Sequence, residues 1–148
     1  MDKEKTIRTV VVARKAHEEQ MKKILALLNG KEVKNPTAVL KTECYFGQWL
    51  YSENTQLKKL IGALFYNNLE SLHARWHTEY SRLFDIFFKN KKPSGLFSKL
   101  FGSDKVDEME IDRAKLYYSE LEVTTKELLK AIASSLRRLE ALNEEKFL

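Results

Sequence analysis

Apolar side chains recur three and four residues apart along almost the whole of this 148-residue chain. That period sets one face of each segment on the same side of a helix, so helices are expected throughout. Only five Gly and two Pro are present to interrupt them. In the first segment Ile7, Val10, Arg14, His17, Met21, Ile24 and Leu28 fall on one stripe, and Asn29-Gly30 then offers a left-handed stop. Asn35-Pro36 reads as an N-cap and first helical residue. It predicts a short second helix over 36–51 with Val39, Leu40 and Cys44 inward. A long third helix is expected over 56–89, its stripe being Leu57, Leu60, Ile61, Leu64, Phe65, Leu69, Leu72, Trp76, Tyr80, Phe84 and Phe87. Residues 89–105 combine lysines with Pro93-Ser94-Gly95 and Gly102-Ser103-Asp104, and read as a basic linker. The last segment, 106–146, carries a seam of Ile111, Ala114, Tyr118, Leu121, Thr125, Leu128, Ile132, Ser135, Leu139 and Leu142. Leu129 and Leu136 widen that seam into a bundle-packing face. Every stripe must be buried against another, and an all-α four-helix bundle does this most economically. One short helix would carry Cys44, and a long C-terminal helix within 106–148 would complete a single domain with residues 1–88.

A content of 43% hydrophobic and 32% charged residues excludes wholesale disorder, and the length can bury a core without staples. No apolar run approaches the roughly 18 residues that a membrane span needs. Met1-Asp2-Lys3-Glu4-Lys5 is too charged for a secretory signal, and a single Cys excludes an internal disulfide. Together these point to a reducing cytoplasm. The net charge of +5 is unevenly placed: residues 1–105 hold 19 basic and 11 acidic side chains, the remaining 43 hold 7 and 10. A basic surface invites nucleic acid, yet Lys and Arg mostly alternate with Glu along helical faces. No helix-turn-helix, RNP-like or zinc-finger spacing accompanies them, so a nucleic-acid partner is not expected. Residues 95–102, with Leu and Phe pairs beside lysine, resemble a short interfacial membrane segment. Eight residues are few for insertion, and folding back onto the bundle is the preferred reading.

The chain's chemistry concentrates in four residues: His17, Cys44, His73 and His77. His73 and His77 lie one helical turn apart and project from one face, as a metal-binding pair does. Ala74 stands where a His-Glu-x-x-His metalloprotease has its general base, so that chemistry is excluded. Three imidazoles and one thiolate, drawn from three predicted helices, match a closed tetrahedral zinc site. Each residue alone is equally at home as core packing, and spacing leaves both readings open.

The segment Cys44-Tyr45-Phe46-Gly47-Gln48-Trp49-Leu50-Tyr51 adds a motif: Cys, two residues, Gly, one residue, Trp, then an apolar residue. His17 stands 27 residues before Cys44, and His73-Ala74-Arg75-Trp76-His77 begins 29 residues after it. Over residues 10–88 this resembles the chemoreceptor zinc-binding domain (CZB) family. The resemblance implies one zinc ion per chain, held by His17, Cys44, His73 and His77. It further implies a cytoplasmic sensory module of bacterial signalling, answering to zinc or to oxidants such as hypochlorous acid, with homodimers among its forms. The chain carries no methyl-accepting coiled coil or cyclase motif, so its output would pass through a partner protein. Phe46 and Trp49 are expected to wall the site, Gly47 to permit a close approach, and Tyr45 and Tyr51 to pack at its boundary. An enzyme with Cys44 as nucleophile lacks any recognisable third residue, and catalysis is not expected. The alternative is a metal-free adaptor bundle acting through protein contacts.

Overall fold

The computed structural model describes residues 1–52, 55–89 and 107–148. Five α-helices account for most of them: α1 (Lys3–Leu28), α2 (Tyr45–Leu50), α3 (Leu57–Ile61), α4 (Ala63–Phe84) and α5 (Glu108–Ala141). A π-helical turn, Asp85–Lys89, prolongs α4, and a 3-10 turn, Glu144–Phe147, follows α5. No strand occurs among the described residues, and the helices pack into the expected all-α bundle. No described helix is long and apolar enough to cross a membrane.

Local chemistry sets the ends of the long helices. Asp2 accepts from the Lys5 amide at 2.7 Å and Asp107 from the Glu110 amide at 2.8 Å, which caps α1 and α5. Past α1, Gly30 takes the left-handed φ of 78° that the sequence predicts for a stop. At the far end of α5, Lys3 Nζ donates to the carbonyls of Glu140 and Leu142 at 2.9 and 2.7 Å. It thereby occupies acceptors that the helix terminus leaves unpaired.

Helix α5 packs along both α4 and α1, whose backbones approach each other less closely. The seam read from the sequence is buried as expected at Ala114, Leu121, Thr125, Leu128, Ile132, Ser135 and Leu139. Each large side chain there contributes roughly 1.5–3 kcal/mol by leaving water. Thr125 and Ser135 sit in the seam at little cost, because each hydroxyl donates one turn back, to Leu121 and Ala131.

Several expectations need correction. The helix predicted over 36–51 shrinks to Tyr45–Leu50. Asn35 is not an N-cap but a left-handed residue with φ of 55°. The backbone that follows is claimed by side chains of neighbouring helices: Gln20 Oε1 accepts from the Thr37 amide at 2.8 Å, and Tyr80 Oη donates to the Thr37 carbonyl at 3.0 Å. Leu40, expected inward, is 56% exposed.

The single helix predicted over 56–89 is broken at Gly62, whose φ of 90° is readily adopted only by glycine. A Cβ added there would meet nothing, so conformation rather than space requires the glycine. Leu64, just past the break, faces solvent at 80% exposure. In α1 the buried stripe passes through Ala13 rather than Arg14, which pairs with Glu18 on the surface. Three long helices and two short ones thus replace the predicted four. The basic linker at 89–105, apart from Lys89, and the 95–102 stretch lie outside the described residues.

Candidate metal centre

Between α1 and α4, where the two backbones stand apart, the space is filled with rings. His17 from α1 and His73 and His77 from α4 are 4%, 0% and 3% exposed. One nitrogen from each lies within 4.8 Å of the others. Cys44 reaches this cluster through His73, its Sγ 3.3 Å from Nε2. It lies outside the mutual set formed by the three histidines.

Backbone carbonyls orient two of the imidazoles. His17 Nδ1 donates to the Ala13 carbonyl at 2.7 Å, and His77 Nδ1 donates to the Val39 carbonyl at 2.9 Å. In each ring the proton is thereby fixed on Nδ1, and Nε2 keeps its lone pair for another partner. The Val39 contact also explains why the chain before α2 is not helical: its carbonyl serves the site. His77 Nε2 and His73 Nδ1 are buried with no hydrogen-bond partner among the described residues. Such atoms each cost about 1–3 kcal/mol when left unmatched.

Cys44 is the N-cap of α2 rather than a residue inside a helix, and its Sγ accepts from the Gly47 amide at 3.2 Å. Gly47 permits this turn. A Cβ there would stand 1.5 Å from the Lys41 carbonyl oxygen, so only a hydrogen fits. The close approach expected at this glycine is therefore made by the chain's own preceding loop.

Burial dominates the protonation chemistry. Desolvation, then the neighbouring imidazoles, pushes His73 down from 6.5 to about 2. Desolvation takes His77 to about 4 against the opposing Val39 hydrogen bond. It lowers His17 as well, and it raises the Cys44 thiol. The three rings are held neutral, the form in which imidazole ligates a metal. Tetrahedral zinc separates a sulfur and a nitrogen ligand by about 3.5 Å and two nitrogens by about 3.3 Å. The observed 3.3 Å between Sγ and His73 Nε2 is close to the first figure, and the 4.8 Å bound among nitrogens is looser than the second. Donor type, burial and the unmatched His77 nitrogen all fit such an ion.

The wall around the cluster differs from expectation. Phe46 lies edge-on to His73 at 5.1 Å between centroids, as foreseen. Trp49 stands one ring further out, against Phe46 at 5.8 Å, with its indole nitrogen donating to Met1 Sδ. Its place is taken by Trp76, 4.7 Å from His17 and 5.0 Å from His77. Trp76 Nε1 donates to Thr125 Oγ1 of α5 at 2.9 Å, joining the centre to the seam. Tyr45 is exposed, whereas Tyr51 does more than pack: its hydroxyl donates to Glu70 at 2.8 Å. Glu70 was not singled out by sequence, although it precedes His73 by three residues on the same helical face.

Residues 17–84 match the family model of the chemoreceptor zinc-binding domain, CZB. The resemblance drawn from the Cys44 motif therefore holds over the stretch that contains all four candidate ligands. That family is described as zinc-binding, and in this chain the histidine cluster, which Cys44 meets through His73, is positioned for a metal ion. Neither the curated proteins nor the solved structures yielded a match.

Proposed function

We propose that this protein is a cytoplasmic, non-enzymatic regulatory module of bacterial signalling that holds one zinc ion through His17, Cys44, His73 and His77. The observation that carries this reading is the cluster of three buried, neutral imidazoles, one of which, His73, also meets the Cys44 sulfur, with His77 Nε2 otherwise unmatched. Bound there, zinc supplies a positive charge that keeps the Cys44 sulfur a thiolate and ties the α2 segment to α1 and α4. His17 and His77 present Nε2 because Ala13 and Val39 hold their other nitrogens. The Gly47 amide supports the sulfur's negative charge. Phe46 and Trp76 keep water from the rings.

Cys44 is also the oxidisable member of the set. Its sulfur gives two electrons to hypochlorous acid, chloride leaves, and sulfenic acid remains. That change weakens the sulfur as a ligand and frees the six-residue α2, the shortest lever attached to the centre that carries the motif. A signalling partner or a second copy of the chain reads the released segment. The competing reading, a metal-free adaptor bundle, leaves the buried His77 Nε2 without a purpose.

Metal analysis of protein purified without added zinc tests the proposal. About one equivalent of zinc per chain is expected, falling in Cys44→Ala and on titration with hypochlorous acid. A content below about half an equivalent that Cys44→Ala leaves unchanged would refute it.

A further inference from the structure

The eleven-residue stretch that bears Cys44 is fastened at both ends to one carboxylate. Lys41, which opens the turn before Cys44, places Nζ 2.9 Å from Glu70 Oε1. Tyr51, which caps the end of α2, donates its hydroxyl to the same oxygen at 2.8 Å. The Lys41 ammonium also lies 5.1 Å over the Tyr51 ring, so the two ends of the stretch touch each other as well as Glu70. Between them the Lys41 carbonyl presses on Gly47 and lies 3.6 Å from the Cys44 sulfur. Lys41, Cys44, Gly47 and Tyr51 thus form one closed loop, and Glu70 is its shared attachment to α4. Glu70 precedes His73 by three residues, so the fastening sits on the face of α4 that presents the imidazole to Cys44.

We infer that Glu70 is a positioning residue of the metal centre: through Lys41 and Tyr51 it holds the Cys44 sulfur against His73. The inference rests on the zinc reading for its purpose, but the fastening it describes exists in the metal-free protein. The Lys41 and Glu70 side chains are 41% and 28% exposed, so the tie is half-wet and can open without unfolding the bundle. Lys41 and Glu70 form a neutral pair, which adds no net charge beside the sulfur. Opening the tie lets the loop lift as a unit and leaves three imidazoles without the thiolate.

The test is the rate at which iodoacetamide alkylates Cys44 in the metal-free full-length protein, normalised to the rate in denaturant. Glu70→Gln and Lys41→Met are each expected to raise it about fivefold, and Tyr51→Phe by about twofold. In a Glu70→Ala background, Lys41→Met and Tyr51→Phe are expected to add nothing, because their shared anchor is gone. The melting curve and far-ultraviolet circular dichroism should stay near those of the parent, which a general structural defect would not allow. Tyr51→Phe removes a single hydroxyl and keeps the test alive should Glu70→Gln fold poorly. With cobalt as the probe, Glu70→Gln should lose part of the thiolate-to-metal charge-transfer band before it loses bound metal. Alkylation of Glu70→Gln at the parent's rate, or full additivity with Lys41→Met, would overturn the inference. A parent protein that takes up no cobalt or zinc overturns the function proposed above, while the alkylation rates still decide the role of Glu70.

Discussion

The two faces of α4 are built on opposite terms. Toward α5, polar groups are matched within the protein: Trp76 donates to Thr125, and Thr124 donates to the buried Glu79, which Arg75 also meets at 2.8 Å. Around them Leu121, Leu128, Ile132 and Leu139 are closed to solvent. Toward α1, the gap is packed with imidazoles, two of whose nitrogens find no partner among the described residues. One face is complete as protein. The other leaves His77 Nε2 open to a guest, and its stability should depend on conditions in ways that the α5 face does not.

Zinc removal is expected to have the largest effect. With free zinc about a thousandfold above its dissociation constant, binding adds about 4 kcal/mol, or roughly 8–16 °C in melting temperature for a domain of this size. A chelator should remove that increment, and a melt unmoved by chelator would erase the contrast between the faces. Acid comes next, for the metal-free protein. His73 and His77 have folded pKa values of about 2 and about 4, below the ordinary 6.5. The unfolded chain therefore takes up protons first. Stability that is full above pH 6.5 should fall as pH drops toward 4 and continue falling below it. Urea midpoints across that range check the slope, and His73→Leu should flatten it.

Leu128→Ala addresses the other face. It should cost about 2–5 kcal/mol, and by the same amount with and without zinc. A cost that changes with metal would mean the two faces are coupled, through Trp76 and Thr125. The smallest change is expected from His73→Leu in the metal-free state at neutral pH. Removing a buried imidazole with an unmatched nitrogen should alter stability by less than about 1 kcal/mol, in either direction, while zinc affinity falls at least tenfold. Calorimetry on the two forms separates these effects.

The sequence exposed the periodic part of this molecule and hid the part governed by contacts across it. The α5 seam and the Asn29-Gly30 stop follow from spacing and local chemistry, and both were legible. The four candidate ligands were legible because they are the chain's only His and Cys, in a recognisable order. The extent of α2 was not, since Thr37 and Val39 bond to Gln20, Tyr80 and His77, residues 17 to 43 positions away. Gly62 carried a signal that apolar periodicity on both sides concealed, because a single glycine can sit inside a helix at modest cost. Glu70 had no motif to announce it. Its importance arises from two partners that only the fold brings to one oxygen.

Trp76 gives the centre an optical consequence. The chain has two tryptophans, and this one stacks on Tyr80 at 5.1 Å while His17 and His77 stand edge-on to it. An indole emits according to the charge and rigidity of its neighbours, and protonated imidazole is a quencher. In Trp49→Phe, whose altered ring lies beyond Phe46, the remaining emission comes from the wall of the cluster itself. Loading, acidification and oxidation could then be followed as light, with no dye added and no partner identified.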